Sequence, residues 1–350
     1  MIFSRKRRSL FLFAAAVLFL SACTVEGAGV PSPGTLTQEV RTDLLGTVIT
    51  ISSYESVSSD VFEGVFDLVA DLDARMSVNR PDSEISAINS GSGRDYVAVS
   101  ADTCDLISLA LDFSRLSGGA FDISVGPVMA LWKSDGEFCR LPGDADIRSR
   151  LPSVGYEAIS LAGGGILLEL DGMMLDLGGI AKGYACDRAL DYLKTRGLRS
   201  ALLDFGGNIY AHGTKPDGAL WTVGVKTPLV GENGLVCAIR VQDMSVVTSG
   251  GYERFFEASG AIYHHILDPK TGYPADSGLL SVTIVDPSST RADALSTACF
   301  VQGLDAAYAL LESQPESEGI FITEDCAVRV TPGLRDRVTL LDTRFTLVDD

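Results

Sequence analysis

The residues most suited to chemistry lie within positions 176–187, where the sequence reads DLGGIAKGYACD. Gly178 and Gly179 carry no Cβ, so the backbone can approach a ligand closely at this point. Apolar residues recur at helical spacing after Ala181, which predicts a helix whose free N–H groups attract anions. Lys182 adds a positive charge. The segment therefore indicates a phosphate-binding turn, and its alternative interpretation is a tight connection without a ligand.

This turn matches no standard nucleotide signature, because the segment contains neither GxGxxG nor a Walker A sequence. The apolar run from Ile166 to Leu177 is predicted to be the strand that leads into it. A second double glycine occurs in DFGGNIYAHG, at residues 204–213, after another predicted strand. The two segments share local chemistry, but they do not form a sequence repeat.

Asp293 and Thr297, in RADALSTACF, form a second candidate site. They are four residues apart on a helix predicted to begin near Asp293, so both side chains project from one face. A carboxylate and a hydroxyl placed in this way suit a hard, oxygen-seeking cation. The alternative is a helix-capping aspartate with a threonine that only packs.

The beginning of the chain predicts export. Residues 1–22 contain four basic residues, then an apolar run, then Leu-Ser-Ala directly before Cys23, which is the pattern of a lipoprotein signal peptide. The apolar run is shorter than the roughly 20 residues that a membrane span needs, which disfavours an uncleaved anchor. We therefore expect a lipid on Cys23, a flexible tether over residues 23–40 and the functional domain over residues 41–350. The expected location is periplasmic, on a bacterial membrane.

The charge of the chain limits its partners. The formal net charge is −18, and removal of the four basic residues before Cys23 would take it to −22. Such a charge disfavours nucleic acid as a partner. A phosphate ligand would face the same acidic background, so we expect local cationic groups or a divalent metal beside it.

Cysteine and histidine chemistry is not supported by the sequence. The six cysteines after Cys23 are widely spaced without a CxxC pair, and the chain has three histidines, so neither a zinc cluster nor a cysteine–histidine nucleophile is indicated. Disulfides are possible in an exported protein, but buried free thiols are the favoured interpretation. His264 and His265 are neighbours on a predicted strand, so only one can face a ligand, and hydrogen bonding that fixes the following DPKTG turn is the expected role.

The pattern of elements predicts an α+β fold. Apolar periodicity predicts helices over Val61–Met76 and Thr103–Leu116. Dense Gly and Pro turns between the strands favour antiparallel pairing over a doubly wound sheet. The main predicted strands are Leu44–Ser52, Trp221–Val225, Val236–Val241, Ser245–Thr248, Tyr263–Leu267 and Ser281–Val285.

Five motifs together resemble those of the ApbE-like flavin transferases, the FAD:protein FMN transferases: DLGGIAKG, DFGGN, SGGYERFFE, HILDPKTGYP and ADALSTA. With LGT at residues 45–47 and the GAFD loop, the resemblance covers most of the chain from about Leu44 onward. It implies a two-lobed, T-fold-like domain with antiparallel and mixed sheets. FAD would be the substrate in the cleft between the lobes, with Mg²⁺ on its diphosphate.

The resemblance also implies which residues form the site. The metal ligands map onto Asp293, Thr297 and a backbone carbonyl of the glycine turn, that of Gly179. Asp293 is in addition the candidate catalytic residue, because it could accept the proton of the nucleophile. The contacts to FAD map onto Leu45, Asn79, Ala120, Phe121, Asp122, Asp176, Lys182 and the backbone near Leu267.

The implied reaction is cleavage of FAD with release of AMP and transfer of FMN to a threonine of an acceptor flavoprotein, such as a subunit of a membrane redox complex. Water in place of the threonine would make the protein an FAD pyrophosphatase. Asn79 favours this alternative, because the family commonly has there an aromatic residue that could stack on FAD, whereas Leu45 in place of the usual methionine should matter little. Two alternatives of another class are a non-catalytic FAD-binding lipoprotein and an ordinary solute-binding lipoprotein.

Overall fold

The computed structural model describes residues 36–134 and 136–348 as helices, strands and short connections. The helices are α1 (Ser59–Met76), α2 (Glu84–Ser90), α3 (Ala101–Leu116), α4 (Gly126–Trp132), α5 (Asp144–Arg150), α6 (Ala181–Thr195), α7 (Ser289–Gln302) and α8 (Leu304–Glu312), with 3₁₀ turns at Leu151–Ser153, Tyr156–Ala158 and Pro332–Leu334. The strands are β1 (Thr37–Leu44), β2 (Thr47–Ser53), β3 (Val97–Ala98), β4 (Lys133–Ser134), β5 (Glu137–Phe138), β6 (Ile159–Ala162), β7 (Gly165–Leu168), β8 (Ala201–Phe205), β9 (Asn208–His212), β10 (Trp221–Lys226), β11 (Leu235–Val241), β12 (Met244–Gly250), β13 (Phe255–Ala258), β14 (Ala261–His264), β15 (Leu279–Asp286), β16 (Glu318–Thr323), β17 (Ala327–Val330), β18 (Val338–Leu340) and β19 (Thr346–Val348).

A nine-stranded sheet in the order β1-β2-β8-β9-β12-β15-β16-β17-β19 forms the centre of the fold. Its strands pair antiparallel except at one edge, where β19 runs parallel to β17. Smaller sheets are formed by β10-β11-β18, β3-β7-β6, β13-β14 and β4-β5. The predicted α+β class with antiparallel and mixed sheets is confirmed.

Each face of this sheet buries a different layer. Successive residues of a strand point to opposite faces, so Val247 packs among the helices while Val246 packs against the sheet formed by β10, β11 and β18. On the helical side, α7 lies against β12 and β15 and beside α6. Ten of its fourteen residues are buried, as expected for a helix enclosed on most sides.

Most predicted elements are present. The structure confirms the helices that become α1, α3 and α6, and the strands that become β10, β11, β12 and β15. The N-cap of α2 is Ser83, whose hydroxyl accepts a hydrogen bond from the Ser86 N–H.

The prediction of one strand over Leu44–Ser52 is wrong. Two strands, β1 and β2, meet there in a tight turn at Leu45 and Gly46, whose φ angles of 51° and 65° are left-handed. β1 already begins at Thr37, so the end of the segment predicted as a tether over residues 23–40 is a paired strand.

Two further predictions around the site need correction. The strand predicted over Ile166–Leu177 ends at Leu168, because the charged residues that follow lead into a turn at Gly172, where φ is 79°. The helix predicted to begin near Asp293 begins four residues earlier, at Ser289, and because its N-cap is Ser288 the alternative of a helix-capping Asp293 is wrong. Helix α8 has no counterpart among the predicted elements.

Residues 1–35 lie outside the described part of the chain, and with them Cys23, the predicted signal peptide and most of the predicted tether. Among the described residues, no helix combines the length and apolarity that crossing a bilayer requires. The six described cysteines are free thiols. The expectation that they are buried holds for Cys186, Cys237 and Cys299 and is wrong for Cys139, which is exposed.

Candidate functional site

The first turn of α6 meets α7 at Asp293. The Gly183 N–H donates to Asp293 Oδ2 at 2.9 Å, and Lys182 Nζ lies 3.5 Å from Asp293 Oδ1. The Asp293 side chain is 3% exposed, so burial of its charge requires partners of this kind. Lys182 retains partial solvent exposure, which leaves its ammonium group free to turn toward a ligand.

The close approach of the two helices depends on Gly183. A Cβ atom at this position would lie 2.3 Å from the carbonyl oxygen of Ser289 and 2.8 Å from Cβ of Asp293. Any larger residue would therefore push α7 away from α6. No sequence pattern indicated this contact, because the predicted turn involves Gly178 and Gly179 and Gly183 lies within the predicted helix.

Thr297, one helical turn after Asp293, lies beside the glycine turn that precedes α6. A Cβ at Gly179 would be 3.3 Å from Thr297 Oγ1 and 3.2 Å from a ring carbon of Phe121. The Ser249 hydroxyl is 3.4 Å from Thr297 Oγ1 and 2.8 Å from Ser296 Oγ. The structure thus brings Asp293, Thr297 and Gly179 together, while their role as metal ligands stays a prediction.

Asp176 is held at the start of the turn. Lys133 Nζ donates to its Oδ2 at 3.0 Å, and the Gly178 N–H donates to its Oδ1 at 2.9 Å. Burial acts to raise the pKa of Asp176, but the Lys133 charge and these hydrogen bonds outweigh it, so the pKa lies below its usual range. Asp176 is therefore a stable anion that anchors the β4–β5 hairpin, which carries Lys133, against the glycine turn.

The predicted FAD contacts at residues 120–122 form a buried loop. Phe121 packs against Gly179, and Ala120 is buried next to it in the chain. Asp122 accepts hydrogen bonds from the N–H and hydroxyl of Ser124 and from the Tyr156 N–H. Burial raises the pKa of Asp122, opposed by these bonds. Both of its carboxylate oxygens hold the loop, so a contact to FAD would come from the backbone here.

The remaining predicted contacts, Leu45, Asn79 and Leu267, lie on other segments. Leu45 occupies the β1–β2 turn, exposed Asn79 follows α1, and Leu267 is buried beside Trp132 at the base of the turn over residues 268–273. Within residues 36–134 and 136–348, none of the three forms a hydrogen bond or ion pair with Gly179, Asp293 or Thr297. Their role as contacts to FAD stays a prediction.

The described structure adds charged groups that the sequence prediction did not name. Glu253 and Arg254 lie in the SGGYERFFE motif, whose match to the family could have drawn attention to them. A Cβ at Gly207 would be 3.7 Å from Glu253 Oε1, and Arg254 donates to the Gly46 carbonyl. Glu253 is exposed, and desolvation by the surrounding protein raises its pKa against the nearby Lys182 charge.

The two histidines of HHILDPKTG form hydrogen bonds with different backbone carbonyls. His264 Nε2 lies 3.1 Å from the Ala275 carbonyl, which confirms the expected hydrogen bond that closes the DPKTG turn. His265 Nδ1 lies 3.2 Å from the Arg254 carbonyl. Burial, together with the positive charges of Arg254 and Lys182, lowers the pKa of His265 to about 3. His265 is therefore neutral at physiological pH.

This depressed pKa predicts a pH effect on stability. An unfolded histidine has a pKa near 6.5, so between roughly pH 6.5 and pH 3 the unfolded chain binds a proton that the folded chain does not. The group must then destabilise the fold as the pH falls through that window. We expect the urea concentration at the midpoint of unfolding to fall between pH 7.5 and pH 5 in both proteins, and to fall less in His265→Gln than in the parent. Equal losses in the two proteins would contradict this assignment.

The donor set of the site selects the type of ligand it can hold. Asp293, Thr297 and the Gly179 backbone offer only oxygen atoms, which suit Mg²⁺ or Ca²⁺ and not a soft metal. Among the described residues, no group of three or more His, Cys, Asp or Glu side chains is placed to bind a metal ion. One carboxylate with additional oxygens fits Mg²⁺, which commonly keeps waters and takes its other ligands from substrate phosphates.

Comparison with known proteins places this arrangement in a family. The ApbE family model matches residues 45–321. The FAD:protein FMN transferase of Treponema pallidum is 39% identical over 300 residues, which cover 81% of this chain and 83% of that protein. The corresponding Klebsiella pneumoniae protein is 35% identical over 311 residues, which cover 87% of this chain and 95% of that protein.

Solved structures agree with the sequence comparison. The ApbE protein from Thermotoga maritima superposes with a TM-score of 0.78 at 32% identity, over 85% of this chain and 98% of the other. The flavin transferase ApbE from Vibrio cholerae gives a TM-score of 0.74 at 28% identity, over 83% and 94%. With the family model matched across most of its length, the chain belongs to the ApbE family.

Proposed function

We propose that this protein is an Mg²⁺-dependent FAD:protein FMN transferase, which cleaves FAD, releases AMP and attaches FMN to an acceptor flavoprotein. The observation that carries the proposal is the junction of Asp293, Thr297 and Gly179 at the N-terminus of α6. It combines a phosphate-binding turn with oxygen donors for a cation. Relatives named FAD:protein FMN transferase support the choice of FAD as substrate.

In this proposal, Asp293, Thr297 and the Gly179 carbonyl hold Mg²⁺, which when bound neutralises the diphosphate and stabilises the AMP leaving group. The protein itself supplies the groups that attract the diphosphate. The positive end of the α6 dipole and the Lys182 ammonium attract the diphosphate against the acidic net charge of the chain. Lys182 Nζ lies 3.5 Å from Asp293 Oδ1 and its side chain keeps partial solvent exposure, so its ammonium group would be available to a phosphate oxygen.

The nucleophile decides between the two enzymatic alternatives. A threonine hydroxyl of an acceptor, such as a subunit of a membrane redox complex, would form a phosphoester with FMN, whereas water would release free FMN. Asp293 is the candidate acceptor for the proton of either nucleophile. The predicted lipid on Cys23 would keep the enzyme near such acceptors on the periplasmic side of a bacterial membrane.

A product assay tests this proposal. The protein is incubated with FAD and Mg²⁺, with and without an acceptor domain that carries a threonine, and FAD, FMN and AMP are separated by chromatography. AMP released in step with loss of FAD, only with the acceptor present, supports the transferase. FMN and AMP formed equally without the acceptor favour the pyrophosphatase. FAD that remains intact in both reactions, with or without a chelator, would leave a non-catalytic binding protein.

The residue at position 79 leads to a prediction about the balance between FMN transfer and FAD hydrolysis. It is exposed, and its Oδ1 lies 3.9 Å from the Cβ position at Gly136, on the same hairpin as Lys133, which holds Asp176. An aromatic side chain here could stack on a flavin or adenine ring. We expect Asn79→Tyr to bind FAD more tightly by about 1–3 kcal/mol and to release FMN more slowly.

The control for this prediction is Asn79→Leu, which adds apolar bulk without an aromatic face. Fluorescence titration with FAD in the absence of Mg²⁺ measures the affinity, and FMN release is followed after Mg²⁺ is added. If Asn79→Tyr and Asn79→Leu both match the parent, the missing aromatic residue does not explain FAD retention in this protein.

A further inference from the structure

Two carboxylates link helices α6 and α7: one belongs to α7 and accepts a hydrogen bond from α6, and the other belongs to α6 and accepts hydrogen bonds from α7. Asp293 of α7 accepts the Gly183 N–H of α6, as described above. Asp187, one turn further along α6, accepts hydrogen bonds from the first residues of α7. Asp187 is the last residue of the segment at 176–187, and the proposed function gives it no role.

The contacts of Asp187 use both of its oxygens. Oδ1 accepts the Ser289 N–H at 2.8 Å. Oδ2 accepts the Ser288 hydroxyl at 2.8 Å, the Thr290 N–H at 2.9 Å and the Thr290 hydroxyl at 2.7 Å. The first N–H groups of a helix have no partner within the helix, and a carboxylate there also interacts favourably with the helix dipole. Asp187 therefore fixes both the position and the rotation of the first turn of α7.

These hydrogen bonds from Ser288, Ser289 and Thr290 to Asp187, here called the Asp187 clamp, lie directly beside the candidate metal site. Ser289, which donates to Asp187, also presents its carbonyl oxygen to Gly183, where no side chain separates the helices. Asp293 follows Ser289 by four residues, and Thr297 follows Asp293 by four, so all three lie on the same face of α7. Because a helix is stiff over this distance, a shift or rotation of the first turn of α7 would displace Asp293 and Thr297 by a similar amount.

We propose that Asp187 is a positioning residue for the metal site: it sets the register of α7 on α6 so that Asp293 and Thr297 both face Gly179. This inference rests on the proposed function for the identity of the ligand. It assigns to the half-buried hydrogen bonds of Asp187 an effect on metal affinity, in addition to their effect on stability. Residues around a metal site that orient its ligands commonly affect affinity by about 10–100-fold.

The decisive variant is Asp187→Asn in the full chain. The amide keeps the shape of the carboxylate but replaces one oxygen by an NH₂ group, which would then face an N–H donor of α7 and could not accept it. We expect the Mg²⁺ concentration for half-maximal FAD cleavage to rise about 10-fold or more. The rate at saturating Mg²⁺ should fall much less, because the ligands themselves remain.

Binding is also measured without turnover, by electron paramagnetic resonance of Mn²⁺ titrated into the protein in the absence of FAD. Asp187→Asn should bind Mn²⁺ more weakly than the parent by the same factor. A purely structural role for Asp187 would lower the melting temperature and leave both metal measurements unchanged in the folded protein. That outcome would overturn the inference.

Two further variants keep the test decisive. Thr290→Val removes only the hydroxyl that donates to Asp187 and keeps the size of the side chain, so it should shift metal affinity in the same direction by a smaller factor. It decides the question if Asp187→Asn does not fold. Asp191→Asn is the matched control, because it makes the same change at an exposed position of α6, one turn after Asp187, and it should bind metal like the parent.

Failure of this inference can be told apart from failure of the proposed function. A parent protein that binds Mn²⁺ but does not cleave FAD would refute the function, and the Mn²⁺ affinities of the variants would still decide the role of Asp187. A parent that cleaves FAD with a metal requirement unchanged in Asp187→Asn and Thr290→Val would refute only the positioning role.

Discussion

Asp293→Asn is expected to lower FAD cleavage at least about 100-fold, a loss of about 2.7 kcal/mol in transition-state stabilisation. The amide oxygen can keep the hydrogen bond from the Gly183 N–H, so the contact between α6 and α7 survives. The NH₂ group would then replace Oδ1, the oxygen that faces Lys182. An NH₂ group is a donor, which neither binds Mg²⁺ nor accepts a proton from a nucleophile.

The melting temperature and FAD cleavage are measured together for this variant. Asp191→Asn, the exposed change on α6 used above, serves as the control and should keep full activity. Asp293→Ala should lose both the activity and the contact to Gly183, so it should also be less stable than Asp293→Asn. Full activity in Asp293→Asn, at any Mg²⁺ concentration, would remove Asp293 from both the metal site and the catalytic step.

The second large effect is expected from Gly183→Ala. The new methyl group would meet the Ser289 carbonyl oxygen at 2.3 Å, and this atom belongs to the backbone of α7, so a side-chain rotation does not relieve the clash. α7 must move away from α6, which would lengthen the hydrogen bond between Gly183 and Asp293. We expect the free energy of unfolding to fall by about 1–3 kcal/mol and FAD cleavage to fall at least about 10-fold.

Urea unfolding and the cleavage assay measure these two effects. Gly234→Ala is the matched control, because a Cβ there comes no closer than 3.9 Å to any residue beyond its chain neighbours and the position is remote from α6 in sequence. It should leave both quantities near those of the parent. If Gly183→Ala is as stable and as active as the parent, the close approach of α6 and α7 is not required for the site.

The sequence predicted the parts of the site that depend on local spacing. The i, i+4 relation of Asp293 and Thr297 is a property of any helix, and α7 presents both residues as that spacing requires. The apolar periodicity after the double glycine likewise placed the start of α6 at Ala181, where the structure has it. These predictions needed only the period of a helix and the special backbone freedom of glycine.

Contacts between elements distant in sequence could not be obtained in this way. Gly183 and Ser289 are 106 residues apart, and no pattern near either one indicates that their backbones touch. The role of Asp187 is of the same type, because a carboxylate on a helix surface looks like a solvated charge until its partners on α7 are known. The β1–β2 turn was missed because Leu45, a residue that rarely has a positive φ, adopts one there.

The measurement that tests the central claim most directly is the intact mass of an acceptor domain after incubation with this protein, FAD and Mg²⁺. The same domain with its target threonine replaced by valine is the control. We predict that the parent acceptor gains the mass of one FMN group, with an equal amount of AMP released, while the valine acceptor and a reaction with excess chelator show no gain. An acceptor that stays unmodified while FAD is consumed would contradict the transferase assignment.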